Sequence, residues 1–454
     1  MVEIRKQASL NLSNVRHSFL ILSDEVHDEA DEVASILHKA HKLRTFLLHS
    51  SITRVPYNFF HHLRCLRALD LSQTRLNKLP QSVEQLKHLR YLDLSYTHIE
   101  ELPELVSNCR NLQTLRLNAC ARLYKLPRGM RKMIFMRHLE LEDTHMLKFL
   151  RQGVGRLTEL RTLTDFIVGG GDEGCKCGEL KNLNHLQGRL RIIGLENVRS
   201  TDEAREAELY KKQHVHALIL DYDSIGGGLL DEEVKRRENV LEILQPNTNL
   251  KEFEIWNYEG SKLPSWIEDP VFSNLVKVNL MNCSKCKKLP GLGKLPSLKC
   301  LIIEGMEEEE WELRGGDGEV MPSLLQLEIR DCPKLKALPY NLPPLLRKLA
   351  LNITNDGMSL EGPLPVLPNL NHLVIWYSPE LTSFPCGWLG QLKALQTREI
   401  YRCPMLGSLP EELPHLTMLR ELKITCCPLL VDRCRDGGED WDNIAHIPCI
   451  KIFT

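Results

Sequence analysis

The sequence predicts an α/β solenoid: a curved parallel β-sheet on the concave face, with irregular loops, 3₁₀ turns and short helices on the convex face. Three observations predict it. Leucine supplies 81 of the 454 residues while all aromatics together make up 6%, so one residue type fills one structural role many times. A frame L-x-x-L-x-L recurs from end to end. Its first positions are Leu43, Leu66, Leu89, Leu112, Met136 and Leu160, then Val215, Leu250, Leu275, Leu298, Leu324, Leu346, Leu370, Leu395 and Leu419. The regular steps are 22 to 26 residues, the period of leucine-rich repeats and shorter than that of helical repeats.

Each part of the frame has a physical reason. In x-L-x-L-x, alternate side chains face opposite ways, so the leucines turn inward and the residues between them outward. Residues 66–71 (LRALDL) and 89–94 (LRYLDL) show this most regularly. Three residues past the frame stands a small residue: Thr74, Thr97, Cys120, Thr144, Cys283, Cys332, Cys403 or Cys427. There Thr can satisfy loose backbone groups and Cys acts as a small buriable side chain. A Leu-Pro step follows at Pro80, Pro103, Pro127, Pro290, Pro339 and Pro410; proline has no N–H to donate, which stops the strand. One repeat cannot bury its own leucines, so neighbours must stack. At ~4.8 Å per strand, the repeated frames would make a sheet of about 70 Å.

The frame divides the chain into an opening segment over 1–40 with an irregular first repeat and a short helix, regular repeats over 41–168, an irregular insertion over 169–249, and regular repeats with a closing segment over 250–454. Before the insertion the frame blurs, with Asp165 at an inward position in LRTLTD. The glycine-rich run 169–174 is expected to be a flexible surface loop. Residues 200–213 read as an amphipathic helix with Ser200 as N-cap and Glu203 at N3. A loop over 224–230 then precedes a helix ending near Leu244. Arg398 replaces an inward leucine in LQTREI, which predicts a distorted or solvated repeat.

Composition narrows the function. Lys and Arg total 58 against 60 Asp and Glu, a net charge of −2, which excludes a nucleic-acid binder relying on net charge. Residues 1–19 hold no uninterrupted apolar stretch, and no run of 18 uncharged apolar residues occurs, so neither a secretory signal nor a membrane span is expected. The 15 cysteines are odd in number and dispersed, which fits a reducing, cytoplasmic or nuclear setting better than a secreted disulfide framework.

Catalytic and cofactor chemistry finds no support. No G-x-x-x-x-G-K-[ST] string exists to cradle phosphates, so no cofactor is expected in this chain. Cys283 and Cys286 have the spacing of half a zinc site, yet Cys283 occupies the repeat position of Thr74. The pair Cys175 and Cys177 and the adjacent Cys426 and Cys427 are likewise read as structural. The acidic string at 27–32 lacks H-E-x-x-H and reads as a helix start. The possible glycosylation sites at Asn11 and Asn352 carry little weight without a secretory signal. No nucleophile stands at a defined spacing from a base, so no enzyme is expected.

The outward positions carry the functional reading. In the first half they include Asp70, Asp93, Arg116, Glu140, Glu142 and Asp143, a mainly acidic strip suited to a basic surface. In the second half Trp256, Trp376, Tyr377 and Tyr401 point outward. Exposed Trp and Tyr are enriched where proteins meet. Trp376 and Tyr401 hold equivalent positions in adjacent repeats, about 4.8 Å apart, with Trp256 five repeats and about 24 Å away.

The pattern L-x-x-L-x-L…[CT]-x-x-L-x-x-LP, with Cys-Pro at Cys332, Cys403 and Cys427, resembles the leucine-rich-repeat region of plant coiled-coil nucleotide-binding disease resistance proteins. Val15-Arg16-His17 and residues 42–47 (KLRTFL) resemble the start of that region. Gly178, Gly188 and Asn197-Val198 fall in stretches similar to its irregular middle, and residues 438–448 resemble its closing segment. The resemblance implies innate immunity through protein recognition: sensing a pathogen effector or a modified host protein, and restraining a nucleotide-binding module in cis or in trans. In that family the coiled coil and the module that binds ADP or ATP precede the repeats, whereas this chain opens on the repeats. A generic intracellular leucine-rich-repeat scaffold without an immune role is the alternative. A cell-surface ectodomain fits less well, since L-x-G-x-I-P turns and cysteine-paired caps are missing.

Overall fold

Leucine burial organises the molecule. In a computed structural model describing residues 2–4, 14–21, 37–49, 52–222, 229–287, 289–307, 321–332, 335, 342–352, 366–384, 387 and 389–453, all the first frame positions from Leu43 to Leu419 are buried. The string at 27–32, the Asn11 site, most of the 224–230 loop and the Leu338-Pro339 step lie outside the described residues. The chain forms two units, Met1–Leu218 and Ile219–Thr454.

In the first unit β1 (Val2–Ile4), β2 (His17–Ile21), β3 (Thr45–His49), β4 (Ala68–Asp70), β5 (Tyr91–Asp93), β6 (Thr114–Arg116), β7 (His138–Glu140) and β8 (Thr162–Leu163) pair in parallel in chain order. A second sheet opens with β9 (Asp165–Ile167) beside β10 (Gln187–Ile193). Strand β11 (His214–Asp221) straddles the boundary between the units. In the second unit β12 (Glu252–Trp256), β13 (Lys277–Met281), β14 (Cys300–Glu304), β15 (Gln326–Arg330), β16 (Lys348–Leu351), β17 (His372–Trp376), β18 (Thr397–Tyr401), β19 (Glu421–Thr425) and β20 (Cys449–Phe453) again pair in parallel in chain order.

The small residue after each strand works as its chemistry suggests. Thr74, Thr97 and Thr144 donate to the carbonyls of Leu71, Leu94 and Leu141 at 2.7–2.8 Å. The Cys332 thiol donates to Arg330 and that of Cys427 to Thr425. After Pro80, Pro103 and Pro127 the chain enters 3₁₀ turns, Gln81–Gln85, Glu104–Asn108 and Arg128–Lys132.

One regular feature escapes the leucine pattern. The residue leaving many strands has positive φ: Gln73, Tyr96, Ala119 and Asp143 in the first unit, and Asn257, Asn282, Gly305, Asp331, Tyr377, Arg402 and Cys426 in the second. This left-handed bend lets the backbone N–H reach the following repeat. Tyr96 donates to Asn118, Asn282 to Glu304, and Tyr377 to Tyr401, at 2.7–2.8 Å. Gly305 suits the bend best, since a Cβ there would also meet Asn282 Oδ1 at 2.5 Å.

Two irregular sites differ from expectation. Between β8 and β9 the chain kinks at Thr164, whose hydroxyl accepts from the Leu141 N–H at 2.7 Å. The kink shifts the alternation by one residue. Phe166 enters the core opposite Ile192, and Asp165, registered opposite Arg191, is itself buried at 4% exposed. Residues 169–174 are not a loose loop. Gly169 N–H donates to Cys175, Lys176 Nζ to Gly169, and Arg151 bridges Gly174. A Cβ on Gly169 would lie 2.5 Å from Gly174 Cα, so glycine permits the backbones to touch.

The expected helix over 200–213 is shorter: α1 covers Thr201–Glu206, then Glu208 bends left-handed into a 3₁₀ turn at Leu209–Lys211. Ser200 Oγ caps it by accepting from Glu203 N–H at 3.2 Å. Helix α2 (Asp231–Ile243) opens on three acidic residues, favourable beside its N-terminal dipole. Short α3 (Pro428–Arg433) and α4 (Trp441–Ile444) precede β20. No helix among the described residues is long and apolar enough to cross a membrane.

Candidate recognition surface

Strand alternation lays the outward residues of the second unit in rows. Register pairs Arg330 on β15, Trp376 on β17, Tyr401 on β18 and Thr425 on β19 as one row, with β16 ending at Leu351 between the first two. The next row runs Glu328, Ala350, Val374, Glu399 and Lys423, and the third Gln326, Lys348, His372, Thr397 and Glu421. Where the middle row carries Ala350 and Val374 between longer charged neighbours, the surface sinks into a cavity of about 270 Å³. Trp376 and Tyr401 form one wall, and Lys348 and His372 another.

The rims are ordered by ion pairs. Glu328 accepts from Lys348 Nζ at 2.8 Å, from Gln326 Nε2 at 2.7 Å and from Arg330. Burial alone would raise the Glu328 carboxyl, but Lys348 and Arg330 outweigh it and hold it below the ordinary glutamate range. The Arg330 guanidinium lies 4.6 Å over the Trp376 ring, a cation–π contact that fixes the indole. Glu399 stands between Lys423 and His372, each at 3.6 Å. Burial lowers His372 despite Glu399, so its imidazole is neutral near pH 7.

The structure therefore gathers Trp376 and Tyr401 at one cavity. Tyr377 lies just beyond Trp376 in the left-handed bend, 54% exposed. Trp256 is on β12, five strands from β17, outside the cavity; its indole N–H donates to Glu254 at 3.1 Å. The charged ladder of Glu328, Arg330, Lys348, His372, Glu399 and Lys423 was not singled out from sequence. Reading every second residue of each frame, instead of aromatics alone, would have found it.

The acidic strip of the first unit is a correction. Asp93 is 4% exposed; it accepts from Tyr91 Oη at 2.8 Å and Ser95 N–H at 2.9 Å, and pairs with Arg116 at 3.3 Å. Arg116 also holds Glu140 at 2.8 Å. One arginine thus pairs with two of the strip's carboxylates. Asp70 is half-buried and accepts from Ser72 N–H at 2.9 Å, the local turn that aspartate favours. Arg398 is a second correction: β18 keeps regular register there, and the side chain is fully buried.

Most of the described cysteines are buried, while Cys65 and Cys426 are exposed. Cys283 and Cys286 are buried, with thiols donating to Met281 and Gly260; burial pushes Cys286 up to about 12. Among the described residues no group of three or more His, Cys, Asp or Glu is arranged to hold a metal ion.

Residues 177–306 match the family model of R13L1/DRL21 LRRs, and residues 41–99 and 64–121 match that of the leucine rich repeat. The disease resistance protein RGA2 of Solanum bulbocastanum is 35% identical over an alignment covering 96% of this chain and 52% of that protein. The chain carries leucine-rich repeats and is similar over nearly its whole length to plant disease resistance proteins. The putative disease resistance protein At3g14460 of Arabidopsis thaliana is 34% identical over 87% of this chain and 23% of that protein. This leucine-rich-repeat chain thus spans about half the length of one relative and less of the other. A Leptospira interrogans LRR protein, LIC12759, superposes with a TM-score of 0.50 at 18% identity, covering 97% of this chain and 90% of that one, which shows the solenoid fold alone.

Proposed function

We propose that this chain serves plant innate immunity as a non-catalytic recognition module, binding a pathogen effector or a modified host protein through the open face of its second unit. The observation that carries this reading is the cavity walled by Trp376 and Tyr401, with Tyr377 exposed beside it. Aromatic walls around a small depression are where interfaces concentrate binding energy. Trp256 would make a separate contact further along the sheet. Asp70, half-buried where Asp93 is covered, is proposed to face the family's nucleotide-binding module, which this chain would restrain in cis or in trans. Any ADP or ATP would belong to that module, and the setting would be the cytoplasm or nucleus.

The test is Trp376→Ala combined with Tyr401→Ala, expressed in leaf tissue with candidate effectors. The double variant should lose partner capture and the defence response with little change in melting temperature. Unaltered capture would move the recognition surface elsewhere. Capture without any defence response in the parent chain would favour the scaffold reading.

A further inference from the structure

We infer that the β15–β19 cavity receives an apolar anchor side chain flanked by carboxylates, so that the partner segment is acidic. The inference rests on the proposal that this face is the recognition surface. Cavity size comes first. At about 270 Å³ the space falls just short of the roughly 300–1,000 Å³ typical of small-molecule sites, and it suits one side chain of a protein segment. The floor is apolar, made by Ala350, Val374 and Ile400, which matches an apolar anchor.

Charge decides the flanks. Three cations, Arg330, Lys348 and Lys423, line the cavity with two carboxylates, Glu328 and Glu399, while His372 is neutral near pH 7. Their exposure is unequal. The Glu328 side chain is 4% exposed and already saturated by its three donors, whereas Lys348 is 35% and Lys423 39% exposed. Glu399 is 30% exposed but stands against Lys423, so the two lysines outnumber the one carboxylate that a partner can reach.

The experiment uses the full chain and three fluorescent pentapeptides followed by anisotropy at low salt. One has phenylalanine flanked by two aspartates on each side, one has lysines in place of the aspartates, and one has alanine in place of the phenylalanine. The acidic phenylalanine peptide should bind at least tenfold tighter than either control, and should weaken as salt screens the lysines. Lys348→Glu with Lys423→Glu should reverse the preference between the acidic and basic peptides. Val374→Trp, which fills the depression, should abolish binding of the acidic peptide. Circular dichroism of each variant matching the parent secures the comparison. Equal binding of acidic and basic peptides, or binding indifferent to Val374→Trp, would overturn the inference. If Trp376→Ala with Tyr401→Ala still abolished effector capture, the recognition surface would stand and only its acidic-anchor chemistry would fall.

Discussion

Replacing Arg398 with leucine should make the second unit more stable, although it removes a charge-bearing side chain from a regular strand. Arg398 is fully buried, and its Nε, Nη1 and Nη2 have no hydrogen-bond partner among the described residues. Its compensation is the Phe384 ring, 4.5 Å from the guanidinium carbon. Burial pulls the guanidinium down from 12.5 to about 9, against the weaker pull of Glu412. At about 1.36 kcal/mol per pH unit, keeping that charge in the core costs roughly 5 kcal/mol. The group remains protonated at pH 7, so the cost is present in full there; it fades only as pH rises from about 9 toward 12.5. Leucine would remove it and would match Leu373 and Leu422, the registered neighbours on either side. Against this stand about 2 kcal/mol for the lost cation–π contact and about 1 kcal/mol for the void left by a shorter side chain. The net gain is about 2 kcal/mol, in the range seen when buried charges give way to hydrophobic residues. Urea unfolding at pH 7, followed by circular dichroism, should show the midpoint rising. A midpoint that falls would mean the guanidinium is stabilising where it sits, and the reasoning would fail.

Asp165 yields a pH signature of its own. Burial raises its carboxyl from 3.8 to about 7, with Arg191 opposing; the folded state therefore holds a proton that the unfolded state releases, and stability falls as pH climbs from about 4 to 7. Asp165→Asn should flatten that slope and add up to about 4 kcal/mol above pH 7, and thermal melts at pH 5 and pH 8 that respond identically in parent and variant would contradict it. Tyr377→Asn should raise the free energy of unfolding by about 1 kcal/mol, read from urea titration, because asparagine tolerates the left-handed bend that a bulky ring does not. The same variant should weaken partner capture, measured by pull-down with the effector used for Trp376.

Much of the fold was legible because leucine has one reading in this frame. A side chain that recurs at every third and then second position can satisfy burial only by stacking repeats, and Leu66, Leu69 and Leu71 are all fully buried. The sequence pattern misled where polar residues occupied frame positions. Nothing in LRTLTDF announces that Thr164 will capture the Leu141 N–H and that Phe166 will fill the core. Arg398 misled in the other direction: charge predicted exposure, yet unbroken register on both sides carried it into the core. The aromatics of the site were legible from alternation, and register brings Trp376 and Tyr401 together as expected. The cavity beneath them was not, because it arises from what Ala350 and Val374 lack, and a depression is visible only once neighbouring repeats are aligned. Asp93 looked accessible because the frame reports direction and says nothing of a covering arginine from the adjacent strand.

The left-handed bend at each strand exit makes the repeat array rewritable. Its anchoring bond runs from main chain to main chain, as from Tyr96 to Asn118 or Arg402 to Thr425, so the bond itself does not depend on which side chain stands there. Within this one molecule the slot holds glutamine, tyrosine, alanine, asparagine, aspartate, arginine and cysteine. Each change alters what the edge of the sheet displays and moves stability by about 1–2 kcal/mol at most. A lineage chasing a changing adversary could revise this margin one letter at a time, leaving the leucine lattice untouched.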